Sequence, residues 1–447
     1  MAQPETRVRE SLDGPSVYRR ARQLIPGGTQ LLSKRPEMFL PEQWPAYYRR
    51  ARGIEVETLD GARYQDFSIM GVGACILGYA DPVVDAAVHA AVDAGVNCSL
   101  NAPAEVELAE LLLALHPWAE QARFARSGGE AMSVAVRIAR AATGRDRVAF
   151  SGYHGWTDWY LAANLADDDA LDGHLMPGLA PAGVPRGLRG TALPFHYNRI
   201  EELEAIVARH GDELAAIVME PQRSHPPAPG YMEAVRTLAD RVGAALIFDE
   251  ITTGFRVRCG GIHLNHAVRP DMAVFAKAMA NGYAMAAVIG TRAVMEAAQD
   301  SFISSTNWTE ALGPAAALAT IGRLRDPQVY RHIEAVGGRV QAGWRESAIR
   351  HGLAIQVDGL PALSHFHIEE DPDLALTTLF VQEMLRRGYL AFDQFKPSLA
   401  HSDTAVDGYL AACDQCFAIL AEARSRGDAH ARLQGPCARR GFYRLTD

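Results

Sequence analysis

"ALIFDEITTGF" (residues 245–255) closes an apolar run with two adjacent acids, and "PDMAVFAKAMANGY" (270–283) closes the next apolar run with a lone lysine. Short continuous apolar runs bounded by turn residues describe strands buried on both faces, the texture of a parallel sheet. The same texture surrounds them. "ARFARSGG" leads into the helical stretch "EAMSVAVRIARAATG", "DRVAFSGYHG" follows, "LAAIVMEP" precedes "GYMEAVRTLADRVG", and "AAVIGT" completes the set. Strands alternating with helices predict an α/β domain whose mostly parallel sheet is covered on both faces. In such sheets ligands bind beyond the carboxyl ends of the strands. Ser127, Glu220, Asp249 and Lys277 all fall at those ends, which makes a constellation out of residues that are weak signals singly.

A lysine at the end of a buried strand is costly unless it has a task. A salt bridge or a snorkelling stem would satisfy it. A desolvated amine can also lose its proton and form a Schiff base with an aldehyde. Asp249 offers the complement, because a carboxylate beside a pyridinium nitrogen keeps that nitrogen protonated and the ring a good electron sink. Glu250 points to the opposite face if the strand continues, and a structural ion pair suits it. In "RSGGEAMSVAVRIAR", Gly128 and Gly129 let backbone amides approach an anion at a helix N-terminus, as a phosphate would require; a plain glycine turn explains the same residues. Tyr153 and His154 in "SGYHGW" follow another strand, and a flat aromatic there could stack on a flat cofactor or belong to the core. Together these residues point to pyridoxal 5'-phosphate (PLP) chemistry.

The remaining composition bounds the reading. The chain has 447 residues, more than one compact core usually holds, and its 48% hydrophobic and 22% charged content is that of a globular protein. A net charge of −9 argues against a nucleic-acid surface. The polar start "MAQPETRVRESLDG" has no apolar signal-peptide core, and no stretch approaches a membrane helix, so a cytoplasmic protein is expected. Of the six cysteines only "CDQC" (413–416) has suggestive spacing, and it lies in a helical apolar pattern that favours core packing over zinc or redox chemistry. No metal is expected. "GVGACILG" (71–78) lacks the third glycine at the spacing and the strand-to-helix context of a dinucleotide site.

The organisation read from the pattern is an N-terminal arm and hairpin over 1–75, a large domain over 76–328 and a smaller α+β domain over 329–447. The arm and the hairpin "GIEVETLDGARYQDFS" are expected to pack on the small domain or on a partner chain. The small domain is expected to hold a long helix near 328–352, strands near "LAIQV", "LSHFHI" and "YLAF", and helices near 373–387 and 403–424.

With these pieces in order, the chain resembles a class III aminotransferase of fold type I, most similar to the glutamate-1-semialdehyde aminomutase branch. The matching motifs are "PGG" (26–28), "SGGEAMSVAVRIAR", "YHG", "MEP", "IFDEITTGFR" and "AKAMANGY", spread over residues 20–425. The resemblance implies a mostly parallel seven-stranded sheet and PLP as cofactor. It implies that Lys277 carries the Schiff base and shuttles the proton, that Asp249 pairs with the pyridine nitrogen, and that Tyr153 and Ile251 take opposite ring faces. Ser127, Gly128 and Gly129 would hold the phosphate, and Glu220 would lie near the cofactor edge. The family commonly has a hydroxyl residue at the position of Gly129. Thr306 matches a family threonine that reaches the neighbouring subunit's phosphate, which implies a homodimer.

Asn307, Trp308, Thr309 and Glu310 replace the family's usual serine-glycine-asparagine turn and would add bulk and charge near the pocket mouth. Arg35 lies where the aminomutase places a substrate arginine, although Lys34 and Arg35 could be a surface basic pair. Arg256 reads as structural. These departures favour a transaminase passing an amino group from an amino-acid donor, such as glutamate or alanine, to an aldehyde or ketone. The acceptor would be sugar-derived or another biosynthetic carbonyl. The rivals are an intramolecular aminomutase and a non-catalytic regulator on the same fold.

Overall fold

The computed structural model describes residues 13–172, 174 and 178–441. Its strands are β1 (Tyr48–Arg52), β2 (Glu55–Thr58), β3 (Arg63–Phe67), β4 (Gln121–Ala125), β5 (Arg147–Ser151), β6 (Ala192–Pro194), β7 (Leu214–Met219), β8 (Ala245–Asp249), β9 (Met272–Phe275), β10 (Ala286–Gly290), β11 (Ile355–Asp358), β12 (Ser364–Ile368), β13 (Tyr389–Ala391) and β14 (Gln394–Phe395). The central sheet has seven strands in the order β4-β10-β9-β8-β7-β5-β6. Only β10 runs against its neighbours β4 and β9, so the sheet is mostly parallel.

Alternation along these strands builds two cores. Ile217, Met219, Leu246, Phe248, Ala273, Phe275, Ala287 and Ile289 enter one buried cluster, with the helices Ile200–His210, Tyr231–Val242 and Leu312–Leu324. Ala216, Val218, Ala245, Ile247, Met272, Val274, Ala286 and Val288 enter the other, under the helix Gly128–Thr143. Because successive side chains point to opposite faces, a strand flanked by helices on both sides must be apolar throughout. That is why these segments read as unbroken apolar runs.

The helices end where the sequence tells them to. Tyr231–Val242 buries Tyr231, Met232, Val235, Leu238 and Ala239, one stripe of the helix, and stops at Gly243 in the left-handed conformation with φ 67°. Its return into β8 delivers Asp249 at the sheet's carboxyl edge.

A third core lies under the long helix Pro327–His351, the helices Ala375–Arg386 and Asp403–Arg426, and the three-stranded sheet β11-β12-β14. The N-terminal hairpin joins this region. β13, expected as a strand of the small domain alone, pairs in parallel with β3 in a four-stranded sheet ordered β1-β2-β3-β13. Phe67 stacks on Tyr409 at 4.3 Å between ring centroids. Cys413 and Cys416 face this core, with the Cys416 thiol 3.4 Å from the Met384 sulfur. Among the described residues no group of three or more His, Cys, Asp or Glu is placed to hold a metal ion, and no helix is long and apolar enough to cross a membrane.

Candidate active site

The sheet brings β4, β7, β8 and β9 to one edge, so Ser127, Glu220, Asp249 and Lys277 emerge together just past or at the strand ends. Lys277 follows β9 after Ala276, and its backbone takes φ 49°. A positive φ is unfavourable for a side chain with a Cβ, so strain here is held by the surrounding structure and turns the lysine stem into the cleft. Its Nζ donates to the Thr252 hydroxyl at 3.1 Å. Loss of solvation, and next the Arg223 guanidinium, push the amine down from its ordinary 10.5 to about 8, against the pull of Asp249 and Glu220.

Asp249 is 3% exposed at the end of β8. One carboxylate oxygen lies 2.8 Å from His154 Nδ1; the other accepts from the Ile251 amide at 2.9 Å. His154 Nε2 lies 3.1 Å from the Ser151 carbonyl. Both ring nitrogens of His154 thus face acceptors, so a proton must sit between the imidazole and Asp249. His154 is an orienting residue whose role the sequence reading left unassigned; its signal was its place beside Tyr153 at the end of β5.

Glu250 takes the other face of β8, where His263 Nδ1 lies 2.7 Å from one carboxylate oxygen and the Thr253 hydroxyl donates to the other at 2.6 Å. These contacts make it a structural residue, on the face opposite the cleft. Arg256, fully buried, donates to the carbonyls of Gly73 and Pro397 and has no carboxylate partner among the described residues.

Beyond β4, Ser127 precedes the helix Gly128–Thr143, and the Glu130 carboxylate accepts from the Arg126 and Ser127 amides. Ile251 presses on Gly128: a Cβ there would come within 2.8 Å of its Cδ1. Gly155, with φ 105°, approaches Gly129 so closely that a Cβ would lie 3.1 Å from the Gly129 Cα. A Cβ on Gly129 would in turn meet Trp156 Nε1 at 3.2 Å. The turn is therefore a cradle of bare backbone, open to an anion and bordered by an indole N–H. Tyr153 is partly buried, edge-on to Tyr160 at 5.7 Å, and desolvation followed by the Asp249 charge raises its hydroxyl.

The donor set fits PLP: an amine of depressed basicity for the aldehyde, a buried acid for the ring nitrogen, and a glycine turn at a helix N-terminus for the phosphate.

The outlying candidates fare differently. Thr306 is exposed at the start of the short helix Thr306–Thr309. The Trp308 carbonyl accepts from Arg126 at 2.8 Å, while its ring packs against the core above the helix Gly128–Thr143. Glu310, expected to bring charge to the substrate, has a different task. It pairs with Arg126 Nε at 2.8 Å and accepts from the Leu312 and Gly313 amides, capping the helix Leu312–Leu324. Arg35 lies against Gly27 in the N-terminal arm, its Nε buried without a partner among the described residues.

This arrangement agrees with known proteins. Residues 41–395 match the family described as aminotransferase class-III. The chain is 32% identical to the 3-aminobutyryl-CoA aminotransferase of Cloacimonas acidaminovorans, over 89% of this chain and 96% of that one. It is 33% identical to the glutamate-1-semialdehyde 2,1-aminomutase of Roseiflexus castenholzii, over 92% and 98%. Among solved structures, the FumI protein of Sphingopyxis sp. MTA144 in its PLP internal aldimine form superposes with a TM-score of 0.83 at 26% identity, covering 94% of this chain and 98% of that one. An omega-transaminase from Sphaerobacter thermophilus superposes with a TM-score of 0.80 at 25% identity, covering 92% and 98%. Sheet order, strand-end chemistry and relatives agree, and the chain belongs to the class-III aminotransferases, which work with PLP.

Proposed function

We propose that this protein moves an amino group from an amino-acid donor, glutamate or alanine, to a sugar-derived or other biosynthetic aldehyde or ketone by a ping-pong route. The supporting observation is the meeting, at one sheet edge, of the strained amine of Lys277 with the buried Asp249 that His154 orients. PLP, when bound, supplies the electron sink for a carbanion at the substrate Cα. Lys277 would hold the cofactor between turnovers and would serve as the base that moves the proton at the substrate Cα. Asp249 keeps a proton on the ring nitrogen, and His154 fixes the direction of its carboxylate. Tyr153 and Ile251 confine the ring. The amides of the Ser127–Gly129 turn receive the phosphate, and Glu220 borders the cofactor edge.

In this reading the protein works in the cytoplasm as a homodimer, Thr306 of each chain meeting the partner's cofactor phosphate. The arm and hairpin (1–75) and the small domain (329–447) flank the large domain (76–328).

The intramolecular 2,1-aminomutase reading stays in play because an aminomutase is among the relatives at 33% identity. Incubating the holoenzyme with glutamate or alanine separates the two. A transaminase bleaches the visible cofactor band and releases one equivalent of keto acid, whereas an aminomutase needs no external donor and releases none. Lys277→Ala should abolish both the band and the transfer. Keto acid release by that variant at the wild-type rate would end the proposal.

A further inference from the structure

Lys396 follows β14, one residue after the fully buried Phe395, so alternation sends its side chain away from the small-domain core that Phe395 enters. Its backbone is fixed on both sides. The Lys396 amide donates to the Ser68 carbonyl at 2.8 Å, and Arg256 Nη1 holds the next carbonyl, that of Pro397, at 3.0 Å. Arg256 also clamps the Gly73 carbonyl, through Nε at 3.2 Å and Nη2 at 2.9 Å. The lysine stem runs along that same glycine: a Cβ on Gly73 would stand 3.3 Å from Lys396 Cδ and 3.9 Å from its Nζ. Gly73, in turn, ends a left-handed turn in which Met70, Gly71 and Val72 all have positive φ. On this side the stem therefore runs along bare backbone, with Arg256 next to it.

Nothing among the described residues receives the amine at its end; it makes no hydrogen bond and no ion pair. Burial, and after it the cations Lys277, Arg256 and Arg223, push this amine well below its ordinary 10.5. The acids of this mouth are engaged elsewhere. Glu220 lies 3.4 Å from Arg223, and Asp249 lies 2.8 Å from His154. Arg256 is turned to the carbonyls of Gly73 and Pro397. Burial among cations favours the neutral amine, and an anion entering beside it restores the proton and the charge.

We propose that Lys396 forms an anion subsite that receives a carboxylate of the amino substrate as its amine meets Lys277, so the enzyme selects amines bearing a carboxylate over neutral ones. The subsite rests on the transaminase reading and narrows it. The substrate class is set by an amine at the end of a fixed stem, which gains its charge as the anion arrives and which carboxylates of differing geometry can meet.

The test compares 4-aminobutanoate with 1-aminobutane, which differ only by the carboxylate, in the first half-reaction of the holoenzyme followed through the cofactor spectrum. The wild type should favour the acid in kcat/KM. Lys396→Met should lower that preference about 10- to 100-fold, the size of one charge-assisted hydrogen bond, with the loss falling on KM for the acid. Lys396→Arg should restore most of it. Calorimetric titration of the holoenzyme with unreactive pentanedioate should show a loss of affinity in Lys396→Met of the same order. Lys396→Gln serves as a second uncharged variant if the methionine variant misfolds. An unchanged acid-to-amine ratio in a neutral variant that keeps its cofactor band overturns the subsite. If neither amine alters the wild-type spectrum, the transaminase reading fails. The pentanedioate titration then decides the subsite alone: weaker binding to Lys396→Met upholds it, and equal binding refutes it.

Discussion

Lys277 carries two marks of a residue held for a task, a positive φ and an amine whose basicity is depressed to about 8. The depression has a sign that can be measured. Below about pH 8 the amine keeps its proton and cannot attack an aldehyde; above it the lone pair is free, well before the ordinary 10.5 of a solvated lysine. Capture of added PLP by the apoenzyme, followed by absorbance, should therefore accelerate with pH around a midpoint near 8. A midpoint near 10 would show that the stem is solvated. Asp249 makes the second residue-scale test. Asp249→Asn keeps the shape and loses the charge, so cofactor should still bind while turnover falls by about 100-fold or more. Full turnover would remove the acid from the mechanism. Replacing its orienter, His154→Ala, strands a carboxylate oxygen in a site 3% exposed, which should cost about 1–3 kcal/mol of stability in denaturant titration.

Elements show why part of this protein is legible in its sequence and part is not. The apolar runs of β7, β8 and β9 and the stripe of Tyr231–Val242 carry their own periodicity, so strand ends and the residues on them could be read directly. β1 and β6 were missed: "YRRAR" is polar and exposed along most of its length, and Ala192–Pro194 is a three-residue edge strand. β13 was recognised as a strand but given no partner, because its parallel pairing with β3 joins residues more than 300 positions apart and leaves no local trace. The pairing of Glu310 with Arg126, far away in the sequence, leaves no local trace either. Adjacent glycines of the helix Pro327–His351 give an element-scale test with opposite signs. A Cβ on Gly337 would land 1.9 Å from the Pro361 carbonyl oxygen, whereas Gly338 has nothing within 4 Å. Gly337→Ala should lose about 1–3 kcal/mol by overpacking, and Gly338→Ala should gain about 0.5–1 kcal/mol from helix propensity. Urea midpoints moving in the same direction would show that the helix does not dock as described.

At the scale of the whole molecule, the exposed apolar side chains are unevenly explained. Leu24 and Ile349 are scattered singles of the kind any surface carries. Leu100, Trp156 and Phe302, exposed at 79%, 70% and 88%, belong to the segments around the cleft mouth. Trp156 borders the Gly129 turn, Phe302 lies four residues before the exposed Thr306, and the segment before Leu100 is tied to the one after Thr306 by the Ala311 amide donating to the Val96 carbonyl. Apolar surface left bare beside a binding cleft is surface suited to a partner. The homodimer reading supplies that partner as a second copy of the chain, and it makes a joint demand on assembly and cofactor. Phe302→Glu places a charge where two copies would bury an aromatic ring, so it should shift the protein from dimer to monomer in sedimentation. If Thr306 completes the partner's phosphate site, the same variant should bind PLP about tenfold or more weakly, the loss of a charge-assisted hydrogen bond or two, although position 302 touches no cofactor. Thr306→Ala separates the two effects: it should weaken PLP while leaving the dimer intact. A monomeric Phe302→Glu variant that binds PLP as tightly as the wild type would show that each chain closes its own site, and the shared-site reading would have to be abandoned.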